Sequence, residues 1–155
     1  MEVKELGHVV LYVRDIGRSV WCYRDVLGWR QILPVPFERE GARFAAFSSA
    51  SNRTHHELLL IEVGPNAASQ PPGPRVGLYH IGVKIGDADD DLREAITRLA
   101  MHGVPINGSS DHTTAHSLYI SDPDGNEVEL YIDVADLDWR NDPSLLTAQA
   151  RSLHL

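Results

Sequence analysis

Two histidines and two glutamates recur at one fixed spacing along the chain. His8 lies in LGHVVLYVRD and His80 in LYHIGVKIGD, while Glu57 opens ELLLIEV and Glu129 opens ELYIDV, and both pairs are 72 residues apart. Two independent pairs with one offset indicate a duplicated unit of about half the chain. Imidazole and carboxylate groups are suitable ligands for a borderline divalent metal such as Fe(II), so the pattern predicts a metal site.

Strand geometry predicts which of these side chains share a surface. Successive residues of a strand point to opposite faces, and in three of the predicted strands one face is aliphatic and should pack under the helices. His8, His80 and Glu129 lie on the other faces of these strands. We therefore expect these three side chains to line one concave wall and to bind the metal, with positions left open for a substrate.

Each half of the chain predicts one strand, one helix and three further strands. Asp15 should cap the first helix, Gly28 should end it, and its inward face is expected to comprise Ile16, Val20, Tyr23 and Leu27. The four strands of the first half are predicted at Leu6–Val13, Arg30–Leu33, Arg43–Ser48 and Leu58–Val63.

The second half follows the same order. Asp87 should cap a helix over Asp89–Met101, which ends at Gly103. The strands are predicted at Leu78–Ile85, Val104–Asn107, Ser117–Ser121 and Glu127–Val134. The fold class is therefore α+β, with βαβββ modules at residues 1–63 and 77–135 and a Pro- and Gly-rich linker at 64–76. Residues 136–155 are predicted to form a C-terminal helical extension, whose helix begins near Pro143 or Ser144.

Composition restricts the partners and the compartment. The 155-residue chain has a formal net charge of −8, which argues against nucleic acid and anionic membranes as partners. No apolar run approaches the ~20 residues of a membrane span, and the N-terminus shows no signal-peptide pattern. A single cysteine, Cys22, rules out an intrachain disulfide and fits a reducing cytoplasm. We expect a cytoplasmic protein.

The repeated His and Glu strands resemble the vicinal oxygen chelate superfamily of paired βαβββ modules, which includes glyoxalase I, extradiol dioxygenases, fosfomycin-resistance enzymes and metal-free antibiotic-binding proteins. The resemblance covers roughly Glu5 to Val134. It implies curved sheets that form an open barrel-like metal site, with ligands from the first and last strands of the modules. Here those ligands would be His8, His80 and Glu129, with Glu57 at the remaining symmetric position.

Three stretches are similar to extradiol, or catechol 2,3-dioxygenase-like, enzymes: LYHIGVKI around His80, the HHE run, and DHTTAHSLYISDPDGNEVELY from Asp111 to Tyr131. This closer resemblance implies Fe(II), a catechol-type aromatic substrate and O2. It assigns acid–base catalysis to His56, stabilisation of developing charge to His112, and a hydrogen bond to a bound catecholate oxygen to Tyr119. Two-module relatives imply a homodimer.

The orientation of His56 and Glu57 distinguishes the dioxygenase interpretation from a second one, a glyoxalase-type enzyme. Neighbours in a regular strand cannot face the same site. If Glu57 faces the metal, the chain is a glyoxalase-type lyase or isomerase with four ligands and Ni(II) or Zn(II); Mn(II) is a further alternative to Fe(II). If His56 faces it, the strand must begin irregularly just before Leu58, and the dioxygenase is favoured. We expect His56 to point at the open positions and Glu57 not to bind. A metal-free binding or resistance protein is the third alternative.

Overall fold

A computed structural model describes residues 1–33 and 37–155. The chain divides into two compact units, Met1–Gln70 and Pro71–Leu155. Each unit has its own sheet, with five strands in the first and four in the second, and few helices. The predicted α+β class is therefore confirmed. Over the described residues, no helix is both long and apolar enough to cross a bilayer.

The first unit contains β1 (Val9–Val13), α1 (Ile16–Val20) continuing as a π-helical turn (Trp21–Val26), β2 (Arg30–Gln31), β3 (Phe37–Arg39), β4 (Ala42–Ser48) and β5 (Leu58–Glu62). The strand order is β1-β5-β4-β2, with β3 also paired to β4. The first and last strands, β1 and β5, are parallel neighbours. Parallel neighbours need a crossover connection, so the chain between β1 and β5 must cross one face of the sheet. The α1 helix lies on that face, where it packs against β4 and β5.

The second unit repeats this plan. It contains β6 (His80–Gly86), α2 (Asp89–Met101), β7 (Gly108–Asp111), β8 (Ala115–Ser121), β9 (Glu127–Asp133) and a 3-10 helix (Pro143–Thr147). The order is β6-β9-β8-β7, and again the first and last strands are parallel. After the sheet, the C-terminal segment forms only this five-residue 3-10 helix and an isolated antiparallel β-bridge. In the bridge, Arg151 and Asp111 each donate the backbone N–H to the other's carbonyl oxygen.

The buried faces are the predicted aliphatic ones. In the first unit Leu11, Val13, Leu58 and Leu60 are at most 6% exposed, and in the second Val128, Leu130 and Ile132 are at most 3% exposed. Leu92 and Leu99 of α2 are also buried. Because side chains alternate along a strand, His80 of β6 and Glu129 of β9 lie on the faces opposite the aliphatic ones, whereas His8 directly precedes β1.

The first helix begins as predicted and then changes pitch. Asp15 Oδ1 accepts the Arg18 N–H at 2.8 Å, and Gly28 adopts a positive φ of 80° after the helix. The π-helical turn, in which the Leu27 N–H donates to the Cys22 carbonyl at 2.9 Å, adds a residue to the turn. Val26 is therefore the buried residue at this end of the helix, whereas Leu27, expected on the inward face, is only half-buried.

One strand was missed and one was misplaced. β3 forms a hairpin with β4 through Glu40 and Gly41, which both have positive φ. Glu is not a usual residue at this turn position, so the sequence carried little signal for it. The predicted strand Val104–Asn107 is wrong, since β7 begins at Gly108. Val104 N–H still donates to Leu99 at the helix end, and Pro105 has no N–H for strand pairing.

The cap of α2 also differs from the prediction. Asp91, not Asp87, accepts the N–H groups of Asp87 and Ala88, each at 2.9 Å. The Asp87 carboxylate instead pairs with Lys84 at 2.6 Å. Asp91 reaches back from the first turn because Gly86, against which it packs, has no Cβ: an added Cβ would lie 2.2 Å from the Asp91 carboxyl.

Candidate metal and catalytic site

In the second unit, His80 and Glu129 lie together on the open face of the sheet. The parallel pairing of β6 with β9 places Gly82 level with Glu129, two residues after His80. His80 Nε2 and Glu129 Oε2 are 3.1 Å apart. Two ligands at right angles around one ion, each ~2.1 Å from it, would be about 3.0 Å apart. This pair therefore fits two neighbouring positions of one metal.

Gly82 keeps the space beside this pair open. A Cβ at position 82 would lie 3.4 Å from Glu129 Oε2 and 3.5 Å from the Tyr131 ring. A larger side chain would extend further into the same space, next to the oxygen that faces His80. Glycine at position 82 thus leaves free space beside the Glu129 carboxylate.

Tyr119 and His112 extend the cluster. Tyr119 is directly opposite Glu129 in the β8–β9 pairing and donates its hydroxyl to Glu129 Oε1 at 3.1 Å. His112 Nε2 lies 2.7 Å from the Tyr119 hydroxyl and 4.0 Å from Glu129 Oε1. Partial burial, followed by the charge of Glu129 and the hydrogen bond to it, raises the pKa of Tyr119 to about 12. Tyr119 therefore keeps its proton at neutral pH and acts as a donor.

Glu127 lies on the same face as Glu129 but was not among the predicted site residues. Its Oε1 lies 3.4 Å from His80 Nδ1, on the side of the ring away from Glu129. The charge of Glu127, and then a hydrogen bond to it, raise the pKa of Tyr79. A signal was available in the sequence, because Glu127 is two residues before Glu129 and so shares its face.

In the first unit, His8 lies next to His56. Their ring centroids are 4.6 Å apart, and the His55 ring is 4.4 Å from that of His56. The two Nδ1 atoms of His55 and His56 are 2.5 Å apart, so one must carry the proton that the other accepts. Burial, then the charges of His55 and His8, lower the pKa of His56. His56 is therefore predominantly neutral at pH 7.

An open depression of about 380 Å³ surrounds these histidines. It is lined by Glu5, Gly7, His8, Arg53, Thr54, His55 and His56. β5 begins only at Leu58, and the backbone at His56 is not part of the regular strand. This irregular start lets His56 approach His8, whereas regular alternation would have placed it with the buried Leu58 and Leu60.

The Glu57 carboxylate is bound by residues of the loop between β4 and β5. Its Oε2 accepts the Ser49 N–H at 2.6 Å and its Oε1 accepts the Ser51 hydroxyl at 3.1 Å. Partial burial alone would raise the pKa of Glu57, but these hydrogen bonds, with Arg53 nearby, lower it below its ordinary value. The carboxylate thus closes the loop between β4 and β5.

The equal spacing in sequence does not give equal positions in the sheets. Val9 is level with Leu58 in the first unit, whereas Ile81 is level with Val128 in the second, a register difference of two residues. Leu59, not Glu57, therefore lies at the level of Glu129, and Glu57 corresponds to Glu127. The gapless alignment of Glu57 with Glu129 was wrong as a guide to structure.

The predicted ligands are divided between the two units, with His8 in the first and His80 and Glu129 in the second. Within residues 1–33 and 37–155, no group of three or more His, Cys, Asp or Glu side chains is gathered closely enough to hold a metal ion. The structure brings His80, Glu129, Tyr119 and His112 together, and separately brings His56 to His8.

The paired βαβββ architecture and these two clusters define a class of protein. Residues 5–130 match the family model of the Glyoxalase/Bleomycin resistance protein/Dioxygenase superfamily, and the chain belongs to that family. The expectation drawn from the repeated strands is confirmed. The fold agrees with that of a glyoxylase/bleomycin resistance protein/dioxygenase domain from Frankia sp. EAN1pec, at a TM-score of 0.70 and 22% identity over 85% of this chain and 99% of that one.

The curated relatives of the chain include dioxygenases. The chain is 34% identical over 141 residues to a catechol-2,3-dioxygenase of Bacillus subtilis (strain 168), which covers 91% of this chain and 46% of the relative. It is 33% identical over 130 residues to biphenyl-2,3-diol 1,2-dioxygenase 2 of Rhodococcus globerulus, which covers 83% of this chain and 63% of the relative. The chain thus spans about half to three-fifths of the length of these relatives.

Proposed function

We propose that this protein is an Fe(II)-dependent extradiol dioxygenase that cleaves a catechol-type aromatic ring with O2. The observation that carries the proposal is the cluster in which His80 Nε2 and Glu129 Oε2 are 3.1 Å apart while Tyr119 and His112 complete the surroundings of the same carboxylate. Similarity to the Bacillus catechol-2,3-dioxygenase supports the choice of substrate class. His8, His80 and Glu129 would hold the metal.

The donor set suits this ion. Two imidazoles and one carboxylate are the ligand types of non-haem Fe(II) oxygenases, which leave positions open for other molecules. Fe(II), when bound, supplies positions for both catechol oxygens and O2 and conveys electron density from the ring to O2. Glu129 is prepared to bind through one oxygen, because Oε2 faces His80 whereas Oε1 accepts the Tyr119 proton.

The remaining side chains handle protons and charge. His56, predominantly neutral because its pKa is lowered, can accept the second phenolic proton and later return a proton during O–O cleavage. Tyr119 has one proton to donate, so a hydrogen bond to a substrate oxygen would replace its present bond to Glu129. His112, 2.7 Å from that hydroxyl, would stabilise negative charge that develops beside it.

The four-ligand lyase is less well supported. It requires a carboxylate from Glu57 at the metal, but both oxygens of Glu57 accept hydrogen bonds from Ser49 and Ser51. Leu59, which has no ligand atom, lies at the level corresponding to Glu129.

Metal analysis combined with oxygen uptake tests the proposal. Protein loaded anaerobically with Fe(II) should retain about one iron per chain and should consume O2 with catechol while the ring is cleaved. His8→Ala, His80→Ala and Glu129→Ala should each lose iron and activity while keeping the wild-type circular dichroism spectrum. His154→Ala, at an exposed position near the C-terminus, is the control. If all three ligand variants keep full iron, the assigned site is wrong.

A further inference from the structure

A ring nitrogen of His80 and a carboxylate oxygen of Glu127 are both inaccessible to solvent and lie next to each other. His80 Nδ1 and Glu127 Oε1 are 3.4 Å apart, and neither makes a hydrogen bond. Buried polar atoms without partners are unfavourable, so an unpaired imidazole nitrogen and an unpaired carboxylate oxygen in contact call for an explanation. Both belong to residues that are level with each other in the β6–β9 pairing.

We propose that Glu127 is a positioning residue for the metal ligand His80, whose Nδ1–H it accepts when Nε2 binds the divalent metal. The inference rests on the metal site of the proposed function, though not on ring cleavage. It assigns to Glu127 a role that differs from that of Glu129, although the two carboxylates extend from the same strand and the same face.

The geometry prepares Glu127 for this role. The His80 ring lies between two carboxylates of β9, with Nε2 3.1 Å from Glu129 and Nδ1 3.4 Å from Glu127. The terminal torsion of a histidine side chain is soft, so a small ring rotation can close the second contact to the ~2.8 Å of a charge-assisted hydrogen bond. The charge of Glu127, and then a hydrogen bond to it, also raise the pKa of the exposed Tyr79, so Glu127 has a second neighbour on this face.

The chemical consequence is a fixed tautomer. A carboxylate that accepts the Nδ1 proton leaves the lone pair of the imidazole on Nε2, the nitrogen that faces Glu129, and increases the basicity of that nitrogen. Loss of such a partner typically weakens metal binding by about 10- to 100-fold.

The first unit shows that this arrangement is not a simple product of the repeat. Glu57 occupies the level that corresponds to Glu127, but its carboxylate accepts hydrogen bonds from Ser49 and Ser51. The equivalent glutamates therefore have different neighbours, Ser49 and Ser51 for Glu57 and His80 for Glu127.

Anaerobic Fe(II) titration of the 155-residue apoprotein, in competition with a chelator, tests the inference. Glu127→Ala should raise the apparent Kd for Fe(II) by about 10- to 100-fold. Glu127→Gln should recover part of that loss, because its amide oxygen can still accept the Nδ1 proton without the negative charge. Glu94→Ala, at an exposed position on α2, is the matched control and should bind as the wild type does.

The outcomes separate this inference from the proposed function. A wild-type Kd in Glu127→Ala overturns the role of Glu127 while leaving the metal site intact. If Glu127→Ala does not fold, Glu127→Gln decides: a loss of about threefold or more supports the role, and an unchanged Kd refutes it. If the wild-type chain binds no Fe(II), both proposals fall. If it binds Fe(II) but cleaves no catechol, the dioxygenase fails and the role of Glu127 stands.

Discussion

Replacing Glu57 by Gln should lower stability without removing the metal. Glu57 accepts the Ser49 N–H at 2.6 Å and the Ser51 hydroxyl at 3.1 Å. The Gln side chain has the shape of Glu, but it is uncharged and has one acceptor oxygen instead of two. A buried hydrogen bond to a charged group contributes ~1.5–3 kcal/mol, and partial exposure of Glu57 reduces the expected loss to about 1 kcal/mol.

The pH dependence of this loss follows from the pKa of Glu57. Its pKa is lower in the folded chain than the ordinary 4.5, because hydrogen bonds from Ser49 and Ser51 outweigh the effect of burial, which is the largest single influence and acts in the opposite direction. The contribution of the charge to stability is then fully present above the unfolded pKa and is lost as the pH falls through the folded pKa. The difference between wild type and Glu57→Gln should therefore be constant near neutrality and shrink below about pH 4.5.

Urea unfolding at several pH values, together with iron content at pH 7, measures both effects. We expect a lower urea midpoint for Glu57→Gln at pH 7, with iron content and catechol-dependent O2 uptake equal to those of the wild type. Loss of iron in this variant would contradict the reasoning and would favour the four-ligand lyase. A midpoint unchanged at every pH would show that the bonds to Ser49 and Ser51 contribute nothing measurable to folding.

Two further substitutions test the catalytic assignments. His56→Ala should keep the iron but lose ring cleavage, measured as product formation by iron-loaded protein; full activity would exclude His56 as the acid–base group. Tyr119→Phe leaves Glu129 Oε1 without its 3.1 Å donor, and it should retain iron while kcat falls by about tenfold to a thousandfold. An unchanged kcat in steady-state assays would assign Tyr119 to packing.

Much of the fold could be predicted because its signals are local. Alternation marked β4, β5, β8 and β9 to within two residues, and the apolar spacing with its acidic start marked α2 at Asp89–Met101. The incorrect predictions had local causes that the pattern does not reveal. A π-helical turn buries Val26 where Leu27 was expected to be buried, and a hairpin turn at Glu40 and Gly41 creates the unpredicted strand β3.

The sequence by itself determined the composition of the candidate site. The repeat, the strand parities and the family motifs identified His8, His80, Glu129, His56, His112 and Tyr119 as candidates. Within the second unit, the predicted face does bring His80, Glu129 and Tyr119 together, because side chains at alternate positions of paired strands are neighbours whatever the rest of the fold does.

Only the tertiary structure decided which glutamate lies where. Glu57 and Glu129 are equally spaced from His8 and His80 in sequence, but the β1–β5 and β6–β9 registers differ by two residues. Register depends on hydrogen bonds and packing between strands that are distant in the chain, and a shift of two leaves every side chain on its predicted face, so parity cannot detect it. That shift places Glu57 beside Ser49 and Glu127 beside His80.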